Sequence, residues 1–279
     1  MYNIYMKKIL TILIATISLF IFIYFSYQTY SSAKKLDSVT ANYYEAQTDI
    51  KELIQRKFSS MLSTISFGTI ESKDSKLHKL YELKAKRLLL KEKTKEDIIK
   101  LAISATAILF LYFLLDLATY TLLLSISSLA ALLFGVVTPI LMIVIHKYVN
   151  YLGDIVLSFE SKTIVGTIEH LYSSQNYPVA IVILLFSIIV PLVKTLTMIL
   201  ISIFKEFHIA KKLLKFFKHL GKWSMLDVFV VSLLLVYLSM GSSQNSYSEI
   251  ENGLYIFLIY VIFSIITSIF IESLLKKEE

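Results

Sequence analysis

Two ionisable side chains lie in otherwise apolar surroundings. Lys194 is in Ser187-Ile-Ile-Val-Pro191-Leu-Val-Lys194, and Asp227 is in Gly221-Lys-Trp223-Ser224-Met225-Leu-Asp227-Val-Phe. A charge inside a bilayer is expensive, so each is first a functional candidate. Pro191 has no N–H and predicts a disrupted helix near Ser187 with a freed carbonyl. Ser187, Pro191 and Lys194 recur at i, i+4 and i+7, on one helix face that should point into a bundle. A carboxylate beside the Lys194 ammonium would form a couple whose protonation depends on its surroundings, suited to a proton relay or a conformational latch. Each residue also has a plainer reading. Lys194 could snorkel to the cytoplasmic interface. Asp227 and Ser224 could cap the first turn of a helix, with Trp223 as an interfacial anchor.

Weaker signals lie elsewhere. Phe134-Gly135-Val-Val-Thr138-Pro139 predicts a kinked helix, with Gly135 allowing close approach and Thr138 satisfying a carbonyl opened by Pro139; a routine proline kink is the alternative. Ser264, Thr267 and Ser268 in the last apolar stretch would glue helices together or line a proton path. Asp116 falls near a predicted turn.

These residues need membrane-spanning elements to position them. The chain has 279 residues, 56% hydrophobic and 18% charged, with a mean hydropathy of +0.68. A soluble domain is about 25% charged, so a soluble enzyme, a disordered chain and a fibre are excluded. A span needs about 20 apolar residues. The expected spans are Ile9–Tyr27 (an uncleaved signal anchor), 98–118, 123–147, 178–204, 225–241 and 254–274. This is an all-α polytopic membrane protein of six helices. Residues 1–30 form the anchor and 98–118 an additional helix, while 119–279 form a four-helix module. Residues 31–97, charged but with apolar residues at helical spacing, predict an amphipathic helical arm with a break at Phe67-Gly68-Thr69. Asn150–Tyr177 reads as a small extracytoplasmic loop that could hold short strands. The basic segment 205–222 belongs in the cytoplasm, which puts both termini there. The lysine-rich arm would by charge prefer the cytoplasm, but long loops translocate largely regardless of charge.

Cysteine is absent and the five histidines are scattered, so no metal or other cofactor is expected. The net charge of +7 sits beside apolar spans, where it sets topology, so no nucleic-acid partner is read from it. The chain contains no P-loop, G-x-G-x-x-G, H-E-x-x-H or G-x-S-x-G motif, and it is not read as an enzyme.

The Trp223-Ser-Met225-Leu-Asp227-Val-Phe run closely resembles the signature of the paraquat-inducible protein A family. Thr163-Ile-Val-Gly166, Ser187-Ile-Ile-Val-Pro191-Leu-Val-Lys194 and Phe134-Gly-Val-Val-Thr138-Pro139 are similar to its other segments and occur in the same order. The resemblance covers about 120–275. It implies a tetraspanin-like module in the inner membrane of a double-membraned (Gram-negative) bacterium. That module would load phospholipid into, or receive it from, a periplasmic tunnel built by an MCE-domain (mammalian cell entry) partner. It also implies that Lys194, Asp227 and Thr267 belong to a polar network that could be proton-coupled. Known members carry two modules and Cys-rich zinc ribbons. One module without cysteine implies homodimerisation to replace the missing half. The rival expectations are a structural anchor or assembly factor for an MCE complex, and a membrane-stress sensor.

Overall fold

Residues 2–63, 71–149, 153–203 and 246–276 are described by a computed structural model. Helix α1 (Tyr2–Ser63) is continuous and, at 1.5 Å per residue, about 90 Å long, some three times the hydrocarbon thickness of a bilayer. Helix α2 (Glu71–Phe110) returns antiparallel to it. Gln28 Nε2 donates to Asp97 Oδ1 at 2.7 Å, and the Arg87 guanidinium lies over the rings of Tyr43 and Tyr44. The apolar end of α2 crosses the bundle from Ile98 to a 3-10 turn at Leu111–Phe113, where Tyr112 stacks on Phe270 with ring centroids 4.9 Å apart. The segment 98–118 is therefore the tail of α2, this turn and the start of α3, not a separate helix.

Helix α3 (Leu117–Val137) begins at Asp116, whose carboxylate accepts from the Thr119 N–H at 3.2 Å. Its 21 residues span about 31 Å, close to the bilayer core. The helix expected over 123–147 is corrected here: it stops at Val137, and Leu141–Val149 form strand β1. Thr138 precedes a proline and is forced out of the helical region, to ψ 142°, while its N–H and Oγ1 both donate to the Phe134 carbonyl. The run that follows, rich in β-branched residues, favours a strand. Pro139 thus ends a helix; it does not kink one.

Strand β1 is the centre of an antiparallel sheet ordered β2-β1-β3, with β2 Gly153–Lys162 and β3 Ser246–Ile250. Met142 and Val144 of β1, with Phe159 of β2, pack against Tyr44 of α1, so the long hairpin leans on the sheet. Helix α4 (Ile164–Ser173) follows, then α5 (Tyr177–Leu184), a single π turn at Leu185–Ile189, and α6 (Val190–Ile203). The turn from α4 to α5 places Gln175 at φ 62°. Helix α7 (Asn252–Lys276) runs antiparallel to α3 and is its main packing partner.

Among the described residues, four helical stretches are long and apolar enough to cross a membrane: Ile9–Gln47, Leu117–Val137, Tyr177–Ile203 and Asn252–Ser273. The chain is a predominantly helical multi-pass membrane protein. The expected span at 225–241 and the basic segment 205–222 lie outside the described residues, as does the expected break at 67–69.

Two glycines set the contact between α3 and α7. A Cβ on Gly135 would stand 3.1 Å from the backbone of Phe257, while one on Gly253 would stand 2.4 Å from the Thr138 carbonyl oxygen. Small residues let helix backbones approach in lipid, where no hydrophobic effect drives helices together. Gly253→Ala should lower stability to detergent-induced unfolding by about 2–3 kcal/mol, and Gly135→Ala by about 1 kcal/mol, because both meet backbone but the first overlaps it at 2.4 Å and the second only crowds it at 3.1 Å. Equal effects, or none, would contradict this packing.

Candidate functional site

Helix α6 carries two faces. Pro191, Lys194, Thr195, Met198 and Ile201 are buried, whereas Val193, Leu196, Leu200 and Ile203 are each 39–53% exposed. The exposed face suits lipid. Lys194 is on the other face and only 3% exposed, so its side chain runs into the bundle. Helix α6 packs on α3 and also touches α7.

The backbone just before Lys194 is irregular. Pro191 cannot donate a hydrogen bond, and its ring would clash with the carbonyl four residues earlier. The helix responds by widening: the Val190 N–H donates to Leu185 O, five residues back, and forms the π turn. Ser187 lies within that turn at 7% exposure. Thr195 Oγ1 donates towards the Pro191 and Leu192 carbonyls, each at 3.0 Å. The buried Lys194 therefore follows, five residues on, a turn that Pro191 holds in the π arrangement.

The facing helices add hydroxyl groups. Thr267 on α7 is fully buried and donates to Phe263 O at 2.7 Å. Ser127 and Ser128 on α3 and Ser264 on α7 are buried, with hydroxyls that meet no hydrogen-bond partner among the described residues. Tyr120 meets Phe270 and Gly135 meets Phe257. That antiparallel register puts Ser127 and Ser128 level with residues 262–265, at the depth of Ser264. Three hydroxyls without a hydrogen-bond partner among the described residues thus lie at one depth of the α3–α7 pair.

The remaining expected residues fall as follows. Thr138 is fully buried at the junction of α3 with the sheet, and the Pro139 carbonyl accepts from the Gly253 N–H at 2.7 Å. Gly166 donates its N–H to the capping Thr163 Oγ1 at 2.8 Å, where a Cβ would come within 3.0 Å of that oxygen. Trp223, Ser224, Met225 and Asp227 lie outside the described residues. Lys194 and Ser187 share one buried face of the α5–α6 span, and Thr267 stands on a helix packed against it. The sequence reading did not single out Ser127, Ser128 or Asp97. Asp97 is 1% exposed between α1 and α2, and its Oδ2 has no hydrogen-bond partner among the described residues. Its signal was its place as the last charge but one before the apolar run of α2.

Replacing a buried charge by an apolar group of similar volume is commonly neutral or stabilising, whereas truncation leaves a cavity. Lys194→Met should therefore leave thermal stability in detergent unchanged or raised, and Lys194→Ala should lower it by about 1–3 kcal/mol. Ser264→Ala should be neutral, since its hydroxyl loses no hydrogen bond. A large loss in both Lys194→Met and Ser264→Ala would mean that these groups serve only to hold the bundle.

A family model described as paraquat-inducible protein A matches residues 118–275, from the start of α3 nearly to the end of α7. Intermembrane transport protein PqiA of Escherichia coli K12 is 34% identical over 106 residues, which cover 34% of this chain and 24% of that protein. The proteins of the same name from Escherichia coli O6:H1 and Shigella flexneri match to the same extent. The chain thus spans about a quarter of the length of these curated relatives. No solved structure matches it. Because the matched stretch covers more than half of the chain and contains all of α3 to α6, with their buried lysine and π turn, the chain belongs to the paraquat-inducible protein A family.

Proposed function

We propose that the chain is an inner-membrane component of an MCE-type lipid transport system that moves phospholipid between the inner membrane and a periplasmic tunnel. The observation that carries this reading is Lys194, 3% exposed and five residues beyond a π turn on the same span. A protein with no transport to perform has little reason to keep an ammonium there. Family membership and the relatives' name, intermembrane transport protein, support the same direction.

In this reading residues 119–279 are the transport module, with the sheet on the periplasmic side and both termini in the cytoplasm. Lys194 and Asp227 change pairing or protonation as the π turn rearranges, while Ser187, Ser224 and Thr267 supply polar contacts. Coupling to the proton gradient is energetically sufficient. One charge crossing 100 mV releases about 2.3 kcal/mol, and exchanging a backbone hydrogen bond costs about 1 kcal/mol. The hairpin of α1 and α2, which contains residues 31–97, is the element that would reach the MCE partner, and a second copy of the chain would complete the module.

The test is affinity purification of the tagged protein from its native membrane, with mass spectrometry of bound proteins and lipids. Wild type is compared with Lys194→Met and Asp227→Asn at equal folded yield. An MCE protein and phospholipid should co-purify with all three, with lipid occupancy changed in the two variants. A complex that survives extraction but contains no MCE protein would overturn the partnership. An MCE partner with identical lipid in all three would reduce the chain to an anchor.

A further inference from the structure

A cleft of about 470 Å³ opens where α1, α2, the sheet and the start of α7 meet. Its lining includes one stripe of α2: Arg87, Lys91, Lys95, Ile98 and Ile99. These positions recur at helical spacing and so share a face. Along that face the chemistry changes from three cations to two isoleucines. Gln28 meets Asp97 and Tyr43 meets Arg87; Leu36, from α1, stands between these two levels and so lies beside the cationic part of the stripe. The change coincides with the point where α2 turns from charged to apolar and its outer residues, Ile99 and Ile103, are about 60% exposed. That is the depth of lipid head groups.

Two features mark the cationic end as a binding site and not only a solvated surface. Asn252 lines the cleft at 8% exposure, and its Nδ2 meets no acceptor among the described residues. A buried amide donor without an acceptor points to a ligand that brings one. Arg87 is held with its guanidinium 5.6 and 5.1 Å from the ring centroids of Tyr43 and Tyr44, and no carboxylate pairs with it among the described residues. Stacking fixes the plane and leaves the N–H edge for an oxyanion, the arrangement in which arginine binds phosphate best. Glu251 also lines the cleft, and Lys95 pairs with Glu92 at 3.0 Å.

We propose that this cleft holds the phosphate of an anionic phospholipid, with Arg87, Lys91 and Asn252 on the head group and the first acyl methylenes along Ile98 and Ile99. The volume fits a head group and a short length of chain, not a whole lipid. The site lies largely on α1 and α2, which precede the stretch matched by the family, so it is a feature of this chain's own hairpin. It deepens the lipid role proposed above by naming where a head group would wait beside the module, and rests on that reading for its purpose.

The test is native mass spectrometry of the full chain in detergent, titrated with dihexanoyl phosphatidylglycerol, dihexanoyl phosphatidylcholine and inorganic phosphate. Wild type should retain the phosphatidylglycerol in preference to the other two. Arg87→Gln and Asn252→Asp should each weaken it by about tenfold, the loss expected for one charge-assisted hydrogen bond. Lys95→Gln, at a side chain 58% exposed, should weaken it by a smaller factor. Retention unchanged in all three variants would overturn the site. So would inorganic phosphate competing as well as the lipid, since the cleft would then hold a free anion. Because binding is read without transport or partner, a failure here leaves the transport reading standing. Binding at this cleft with no MCE partner found would leave the cleft standing without it.

Discussion

The close contact of α3 with α7 is the constraint on which the rest of the structure depends. Gly135 lets the backbones meet near the C-terminal end of α3, and Gly253 fits beneath the carbonyls of Thr138 and Pro139. Lipid supplies no hydrophobic pressure to hold two apolar helices together, so van der Waals contact at this distance must do it. The consequences spread outward. Pro139 ends α3 where Gly253 begins the second residue of α7, so Ile140 and Glu251 are joined by a backbone hydrogen bond of 2.9 Å and the sheet starts there. Asn252, next to Gly253, is delivered to the cleft by the same contact. The register of the pair also places Ser127, Ser128 and Ser264 at one depth.

Against this rigid pair stands a softer span. The α5–α6 helix has more of its surface exposed than α3 or α7, and it contains the π turn. Pro191 holds that turn wide, because α geometry would set its ring against the carbonyl of Ser187. Lys194 follows five residues beyond the turn, on the buried face of the same span. The fold thus sets a closely packed α3–α7 pair beside a π-bulged span that carries a buried lysine.

Much of this was legible in the sequence, for physical reasons. Long apolar runs gave the spans at 178–204 and 254–274 to within a residue or two, because length and hydropathy decide what can cross a bilayer. The charged stretch before Ile98 read as helical because its apolar residues keep helical spacing. The end of α3 was misread. Residues 140–149 are apolar enough for a span, and a Thr-Pro pair inside an apolar run reads as a kink, whereas here it stops the helix and the β-branched residues after it favour a strand. The cleft was not legible at all. Arg87, Lys91 and Lys95 looked like a solvated face, and only the antiparallel return of α2 beside α7 brings Asn252 to them. The pairing of Lys194 with Asp227 lies beyond the described residues and is carried by the family signature alone.

The central claim is that Lys194 couples lipid movement to the proton gradient. The most direct test is lipid release from proteoliposomes holding the full chain with its MCE partner, with and without an imposed pH gradient. The account predicts that the gradient accelerates transfer by wild type and leaves Lys194→Met, folded and partner-bound, at the rate seen without a gradient. Equal acceleration in both proteins would contradict it.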